Sequence, residues 1–166
     1  SEADLIVGHN GDAFDIKKSN ARFVINGLVP PAPYKTFDTL KAARRSFRFD
    51  SNKLNNIGIA LGIGKKLPNT GIDLWLRCIA GDKDAWSMMA KYNRQDVVLL
   101  EAVYLKLRPW GHHPDMNVFH SVKGCPVCQS HHINTRGLAY SKSAVRQRMY
   151  CKDCHTWFQG EKVNPV

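Results

Sequence analysis

Two cysteine pairs near the C-terminus constrain the fold of this chain more than any other feature. They are Cys125-Pro-Val-Cys128 and Cys151-Lys-Asp-Cys154, and residues 129–150 separate them. Each pair places two thiolates on one tight turn, and two such turns joined by a hairpin set four sulfurs at about 2.3 Å around a tetrahedral Zn²⁺. A segment this short buries little surface by itself. The spacing therefore predicts a small β unit over residues 123–160 whose folding depends on zinc.

Other roles for these cysteines remain open, namely disulfide formation and the redox chemistry of Cys-x-x-Cys pairs. His131, His132 and His155 are each able to replace a sulfur, but four cysteines suffice, and we predict that the histidines lie on the surface. Cys78, alone in an apolar segment, is predicted to be a buried, inert thiol. Cysteines paired for metal binding are typical of a reducing compartment and favour the cytoplasm.

The charge of the chain indicates a polyanionic partner. Its 166 residues include 24 Lys and Arg against 14 Asp and Glu, which gives a net charge of +10. Such an excess is typical of proteins that bind nucleic acid, although solvated surface charge is the alternative. No apolar run is long enough to span a bilayer, so we expect no membrane association. The start, Ser1-Glu2-Ala3-Asp4, resembles no signal peptide and lacks Met, and we expect it to fall in mid-protein.

Hydrophobic periodicity and capping residues predict the order of elements before the cysteines. Residues 4–8 form an apolar run typical of a buried strand, and residues 27–37 hold three closely spaced prolines that predict an extended loop. Thr36-Phe37-Asp38, at the end of this loop, is placed to cap the helix that follows. The predicted helices cover residues 15–27, 39–48, 53–61 and 73–80, and a long one runs from Asp82 or Asp84 to Leu107.

A change of composition then separates two units. Residues 111–122 are polar, rich in His and without helical periodicity, which favours a linker. After the linker, residues 131–141, 145–151 and 155–159 alternate as strands do. We predict an α/β domain over residues 1–110, a linker over residues 111–122 and a small β unit over residues 123–160.

The C-terminal stretch, from "CPVCQSHHINTRGLAYS" to "RQRMYCKDCHTWF", resembles the zinc ribbons at the head of many transposases and other nucleic-acid-binding proteins. The resemblance implies contact with nucleic acid through cations that meet phosphates and rings that stack on bases. We predict that Trp157 and Phe158 instead form the small core of the ribbon. The predicted nucleic-acid-binding residues are Arg136, Lys142, Arg146, Arg148, Lys152 and Tyr140.

Residues 3–107 resemble a second family. "GHNGDAFD" (8–15) and "YNRQD" (92–96) are similar to the second and third motifs of the DEDD, or DnaQ-like, 3′–5′ exonucleases. The tyrosine places the resemblance in the subclass that includes the proofreading domains of family B DNA polymerases. The stretch between them, "FDTLKAARRSFRFDSNKLNNIGIALGIGKK", resembles the helical middle of the same family. The resemblance implies an RNase H-like α/β fold.

The family resemblance also implies a metal site. In the family, four acidic residues hold two Mg²⁺ or Mn²⁺ ions that hydrolyse the phosphodiester beside a 3′ end, and such hard cations prefer carboxylate oxygens. Transferred to this chain, Asp15 and Asp96 are metal ligands, and Tyr92 donates a hydrogen bond to the attacking water. Asn10, in the turn before Asp15, positions that carboxylate or the substrate.

One motif of the family is absent from this chain, the Asp-x-Glu of the first strand. Asp82-Lys-Asp84 is the nearest pattern, but it lies at a helix start, where capping explains it. Because only two carboxylates remain to bind two divalent ions, we predict that this chain binds metal weakly and cleaves slowly or not at all. We expect that the first strands are missing, that the sheet keeps an exposed edge and that its helices have little cover. We also expect the reading frame to continue upstream through an Asp-x-Glu strand, and an in-frame stop without that motif would contradict an active enzyme.

These observations predict a metal-dependent 3′–5′ exonuclease whose C-terminal ribbon holds nucleic acid, with DNA favoured over RNA. The alternative is a non-catalytic nucleic-acid-binding zinc-ribbon protein, accessory to replication or recombination. A transposase fragment is a third hypothesis, but it rests on the ribbon alone. Asp15, Tyr92 and Asp96 are all present, which favours the enzyme, because a decayed site would have lost some of them by drift.

Overall fold

A computed structural model of the protein describes residues 3–68 and 71–163, which form an α/β unit followed by a small antiparallel sheet. No helix in these ranges is both long and apolar enough to cross a membrane. The elements are β1 (Leu5–Gly8), α1 (Asp15–Ile25), β2 (Lys35–Asp38), α2 (Thr39–Ser46), α3 (Leu54–Ala60), α4 (Ile72–Ile79), α5 (Lys83–Leu107), a 3₁₀ helix (Met116–Phe119), β3 (Ile133–Tyr140), β4 (Val145–Cys151) and β5 (Trp157–Val163).

The first sheet has two parallel strands joined by α1. β1 pairs with β2 in a register that sets Leu5 opposite Lys35 and Gly8 opposite Asp38. The carboxyl ends of parallel strands meet at one edge of a sheet, which is where α/β proteins place their sites. The turn after Gly8 and the side chain of Asp38 therefore come together.

Strand β2 corrects the prediction that residues 27–37 form a loop throughout. Proline has no backbone N–H to donate to a neighbouring strand. The last proline of this segment is Pro33, so the backbone is able to pair from Lys35 onward. Phe37 is buried at the end of this strand. A strand of four residues directly after a proline-rich segment is too short to show an alternating pattern of its own.

The helices pack mainly on α5. Its buried residues Leu99, Val103 and Leu107 share one core cluster with α2 and α3. At Gly58, helix α3 lies close to both Gly64 and α5. A Cβ at this position would lie 2.7 Å from the Gly64 carbonyl oxygen and 2.7 Å from Leu99 Cδ1. This contact fixes the loop after α3 beside the middle of α5.

The first sheet has an open edge. Within the described residues β1 pairs with β2 alone. Helix α1 buries none of its side chains, and Val24 and Ile25 are exposed. This agrees with the expectation that the sheet keeps an exposed edge and that its helices have little cover.

The residues between the two units are ordered against the first cysteine turn. Asp115 caps the 3₁₀ helix by accepting from the Asn117 backbone N–H, and the Met116 N–H donates to the Pro126 carbonyl at 2.9 Å. The Asn117 amide also pairs in both directions with the backbone of Gly124. The predicted linker therefore contains a single helical turn, which is too short to show periodicity in the sequence.

Asp38 performs two structural tasks at the start of α2. Its carboxylate accepts from the backbone N–H groups of Leu40 (2.9 Å) and Lys41 (3.3 Å), which caps the helix as predicted. It also accepts from the N–H groups of Asn10 (2.9 Å) and Asp12 (3.3 Å), in the turn after β1. One buried carboxylate thus joins the carboxyl ends of both strands.

We expect Asp38→Ala to destabilise the protein by more than about 2 kcal/mol, because a helix cap is lost and the N–H groups of a second segment lose their partner. Asp82 is a matched control. It caps α5 through the N–H groups of Asp84 and Ala85, and its second oxygen forms an exposed ion pair with Arg77 of α4 at 2.7 Å rather than hydrogen bonds to the backbone of a second segment. Urea unfolding should show a clearly smaller loss for Asp82→Ala, and equal losses would contradict the double role of Asp38.

Candidate functional site

A cleft of about 430 Å³ opens at the carboxyl end of β1. Its walls come from β1, the following turn, the start of α1, the loop after α3 and the middle of α5. The residues that line it are Ile6, Val7, Gly8, His9, Gly11, Asp12, Asp15, Ile16, Leu54, Lys66, Asn93, Asp96, Val97 and Leu100.

The turn after β1 brings Asp15 to this cleft. Asn10 adopts a left-handed conformation with φ 67°, which Asn tolerates better than most residues. Gly8 and Gly11 approach so closely that a Cβ on Gly8 would lie 3.0 Å from Gly11 Cα. The chain reverses within three residues, and Asp15 then begins α1 at the edge of the cleft.

His9 holds this turn to the rest of the unit, and the sequence analysis did not single it out. Its Nδ1 lies 2.9 Å from Thr39 Oγ1, and its Nε2 lies 3.0 Å from the Asn52 carbonyl oxygen. Burial lowers the pKa of His9, against the opposing effects of the Asn52 carbonyl and the Asp38 charge. Both ring nitrogens are engaged, so His9 has a positioning role.

Asp96 reaches the cleft from α5 and meets a lysine. The Lys66 ammonium lies 2.7 Å from Asp96 Oδ2, whereas Asp96 Oδ1 is buried and has no hydrogen-bond partner among the described residues. Burial would lower the pKa of Lys66, but the Asp96 hydrogen bond and charge, with a smaller contribution from Tyr92, outweigh it and raise the pKa. The Asn55 amide oxygen accepts from the Lys66 N–H at 2.9 Å and fixes this residue. A cation therefore already sits on one oxygen of Asp96.

The structure brings Asp15 and Asp96 into one cleft, although they are far apart in the sequence. Tyr92 and Asn10 are not among the residues that line it. The Tyr92 ring centroid lies 5.7 Å from Lys66 Nζ, so Tyr92 reaches the cleft only through that lysine. The side chain of Asn10 is exposed, and its backbone N–H binds Asp38. Their predicted roles stay predictions.

The donors of the cleft fit a hydrated divalent cation. Asp15 and Asp96 supply carboxylates, Asn93 supplies an amide oxygen, and the buried Asp96 Oδ1 lacks a partner. Asp12, which the sequence analysis left without a role, adds a third carboxylate, but Lys41 Nζ lies 2.7 Å from its Oδ2. These carboxylates form no tight group of three in the described ranges. Mg²⁺ suits such a site because it keeps several waters and binds through one or two carboxylates plus substrate phosphates.

A basic cavity of about 570 Å³ adjoins the cleft and shares His9, Leu54 and Lys66 with it. Arg44 and Lys53 also line it, and neither forms an ion pair within residues 3–68 and 71–163. The cavity therefore offers unpaired cations directly beside the carboxylates.

The four paired cysteines form a compact cluster in the C-terminal sheet. Their Sγ atoms all lie within 4.8 Å of one another, and the closest pairs are Cys125–Cys154 at 3.5 Å and Cys128–Cys151 at 3.6 Å. A tetrahedral ion with 2.3 Å bonds to sulfur requires an S···S spacing of about 3.8 Å. All four are free thiols rather than disulfides. The cluster therefore fits one tetrahedral metal ion.

The two cysteine turns have the same backbone design. The Gln129 N–H donates to the Cys125 carbonyl at 2.9 Å, and the His155 N–H donates to the Cys151 carbonyl at 3.0 Å. Gln129 and His155 both have positive φ, 61° and 64°. Before the first turn, a Cβ on Gly124 would lie 2.5 Å from the Gln129 carbonyl oxygen. Each turn thus aims its two sulfurs in the way that the spacing predicted.

The thiols of the cluster differ in acidity. Burial raises the pKa of Cys125 and raises that of Cys128 to about 11. Burial also acts to raise the pKa of Cys154, but its hydrogen bonds with Thr156 outweigh burial and lower it to about 7. A metal ion that binds all four as thiolates must therefore displace protons from the buried thiols.

The predicted nucleic-acid-binding residues are exposed on or beside the C-terminal sheet. Their exposure leaves the cationic heads free for a ligand, although two of them contact backbone carbonyls: Arg148 Nε donates to Arg136 O, and Arg146 Nη1 donates to Gly160 O. The residues are Arg136, Lys142, Arg146, Arg148, Lys152 and Tyr140.

The prediction for the two aromatic residues of β5 is half right. Phe158 packs against the cysteine cluster, but Trp157 is 54% exposed, and the Arg148 guanidinium lies 5.4 Å from its ring centroid. Neighbouring residues on a strand face opposite sides of the sheet, so only one of the two is able to enter this core.

Comparison with known proteins matches residues 1–108 to RNase_H_2, a family described as RNase_H superfamily. Neither a curated protein nor a solved structure matches the chain.

Proposed function

Because the chain belongs to the RNase_H superfamily, matched over residues 1–108, we propose that it is a metal-dependent 3′–5′ exonuclease of the DEDD type. Membership of the superfamily indicates nuclease-type hydrolysis of nucleic acid. The observation that carries the finer proposal is the shared cleft of Asp15 and Asp96, which come from two motifs far apart in the sequence. The tyrosine-bearing subclass rests on Tyr92, one helical turn before Asp96.

Asp15 and Asp96 would hold Mg²⁺ or Mn²⁺, in a two-ion site that also uses phosphate oxygens of the substrate. Ions bound there would supply Lewis-acid activation of the attacking water and stabilisation of the charge on the leaving oxygen. The unpartnered Oδ1 of Asp96 supports this assignment, because a buried carboxylate oxygen is costly without a partner. The Asp12 carboxylate lines the same cleft and would become available to an ion if Lys41 released it.

The basic residues of the cleft would bind and orient the substrate. Lys66 pairs with Asp96 at 2.7 Å, and its ammonium would be available to the scissile phosphate if Asp96 held a metal ion instead. Arg44 and Lys53 line the adjoining cavity and would hold neighbouring phosphates. Tyr92, in contact with Lys66, would orient the attacking water, and Asn10 would keep the turn that presents Asp15.

The C-terminal sheet would be a zinc ribbon. Zn²⁺ is the ion that four thiolates at tetrahedral spacing select. In this proposal zinc has a structural role, and the exposed Arg and Lys residues of the sheet contact the phosphate backbone of the nucleic acid. DNA is favoured over RNA as the substrate.

The second candidate function is a non-catalytic nucleic-acid-binding zinc-ribbon protein, accessory to replication or recombination. The Lys66–Asp96 pair favours it, because an ammonium already compensates the carboxylate that a metal ion needs. The two candidates differ in whether the cleft cleaves what the basic surface binds.

The deciding experiment incubates the whole chain, in molar excess, with a single strand labelled at its 5′ end and with Mn²⁺ or Mg²⁺. Because the Asp-x-Glu of the first motif is absent from this chain, the proposal predicts slow cleavage: over a long incubation, a ladder that shortens stepwise from the 3′ end, and a 3′-labelled strand that releases only mononucleotide. Internal fragments would contradict the exonuclease. Tight binding without any cleavage would contradict catalysis and support the binding protein.

A further inference from the structure

A groove of about 810 Å³ lies between the C-terminal end of α5 and the C-terminal sheet. It lies apart from the cleft. The groove residues Ala102, Leu105 and Lys106 differ by about half a turn around α5 from the cleft residues Asn93, Asp96, Val97 and Leu100. The groove therefore faces the opposite side of that helix.

The groove is walled by aromatic rings. Trp110 lies in the turn after α5 and is 69% exposed, and Trp157 comes from β5 and is 54% exposed. Tyr150 also lines the groove, and its ring centroid lies 4.9 Å from that of Trp157. Exposed apolar surface that is gathered in one groove is typical of an interaction site.

These rings are held in place by neighbouring side chains. The Tyr150 hydroxyl lies 2.6 Å from His155 Nδ1, and the Trp110 ring packs edge-on against Phe47 at 6.0 Å. The Trp110 carbonyl also accepts from Ser46 Oγ at 3.1 Å. Because these rings are already ordered, a ligand that stacks on them would bind without the entropy cost of ordering them.

The charge of the groove is positive. Lys106 and Arg108 line it, and neither forms an ion pair in the part of the chain that the structure describes. Arg108 Nε is buried and has no hydrogen-bond partner within residues 3–68 and 71–163. Asp153 is the acidic residue of the lining, and its two oxygens are occupied by Ser130 Oγ (2.6 Å) and His132 Nδ1 (3.1 Å).

The groove continues into the basic face of the sheet. In the register of β4 and β5, Tyr150 stands opposite Trp157, Arg148 opposite Gln159 and Arg146 opposite Lys162. Rings that stack on bases therefore give way, along β4, to cations that meet phosphates. This combination is the general design of surfaces that bind single strands without reading their sequence.

We propose that this groove is a second nucleic-acid-binding site, in which unpaired bases of a single strand stack on Trp110 and Trp157 while its phosphates run along Arg146 and Arg148. A duplex would not enter, because its bases are already stacked and its phosphates face outward. The inference rests on the proposal that nucleic acid is the ligand, but it does not depend on cleavage.

The test measures the affinity of the whole zinc-loaded chain for a fluorescent oligothymidylate of about twelve nucleotides, without Mg²⁺ or Mn²⁺. We expect Trp157→Ala and Trp110→Ala each to weaken binding about tenfold, and Trp157→Phe to restore most of the affinity because it keeps a stacking ring. Trp75→Ala removes a tryptophan of similar exposure on α4 and should bind as the parent does. The corresponding duplex should bind more weakly and be insensitive to Trp157→Ala.

Equal affinities of Trp157→Ala, Trp110→Ala and Trp75→Ala would overturn the groove proposal and leave the groove to another occupant, such as a protein. If the parent chain shortens a strand in the ladder assay but these affinities are equal, only the groove proposal is contradicted. If the Trp variants weaken binding and no ladder forms, only the exonuclease proposal is contradicted. Zinc content and circular dichroism of each variant check that the sheet remains folded.

Discussion

Replacing Cys151 with Ser is expected to abolish metal binding at the cysteine cluster and to unfold the C-terminal sheet. Zinc contributes about 10–16 kcal/mol to the folding of comparably small units. The sheet has little else to hold it, because its core consists of the cysteines with Val127, Ile133 and Phe158. Losing one thiolate leaves three ligands and a polar hydroxyl that binds zinc poorly.

Metal analysis and amide hydrogen exchange check this expectation. The parent should carry one zinc per chain and protect β3–β5, whereas Cys151→Ser should lose both. Helices α2, α3 and α5 should stay protected, because their core cluster contains no residue of the sheet. Cys78→Ser, which changes a buried thiol outside the cluster, should keep its zinc. Retention of one zinc by Cys151→Ser would contradict the four-cysteine site.

Replacing Asp96 with Asn is expected to lower the rate of strand shortening by more than about a hundredfold. The substitution keeps the shape of the side chain but removes the charge that, in the proposed site, would attract the metal ion, and even residues that only support metal ligands change activity by about 10–100-fold. It also leaves the Lys66 ammonium without its carboxylate partner. The loss should appear in the single-turnover rate rather than in the affinity for the strand.

Asp73→Asn is the matched control, because Asp73 is an exposed carboxylate in the first turn of α4 and does not line the cleft. It removes the same charge from the chain and should leave the rate unchanged. A comparable loss in both variants would show that general charge, rather than the cleft, controls the reaction.

Much of the fold follows from local sequence signals. The long helix α5 combines an apolar face with the Asp82 cap, and the cysteine turns follow from their spacing alone. The sequence pattern does not predict strand β2, because its four residues follow a proline-rich segment and its pairing depends on the distant strand β1. The sequence pattern predicts both Trp157 and Phe158 in the core. Phe158 faces the core, so its neighbour Trp157 faces the other side of the strand and is exposed.

The site was only partly visible in the sequence. Motifs in the sequence predict Asp15 and Asp96, and the fold places both at one cleft; their role as metal ligands stays a prediction. His9 and Lys66 act through partners 30 residues away in the sequence, Thr39 and Asp96, and no local pattern records such contacts. The position of Asp12 within "GHNGDAFD" was a signal for a further carboxylate at the cleft, but its pairing with Lys41 is visible only in three dimensions.

The most direct test of the account is the binding of Mn²⁺ to the zinc-loaded chain, followed by electron paramagnetic resonance. The account predicts that the parent binds Mn²⁺ at the cleft and that Asp15→Asn and Asp96→Asn each weaken this binding more than about tenfold, while Asp73→Asn does not. An Mn²⁺ affinity that is the same in all four proteins would show that Asp15 and Asp96 are not metal ligands and would contradict the proposed active site.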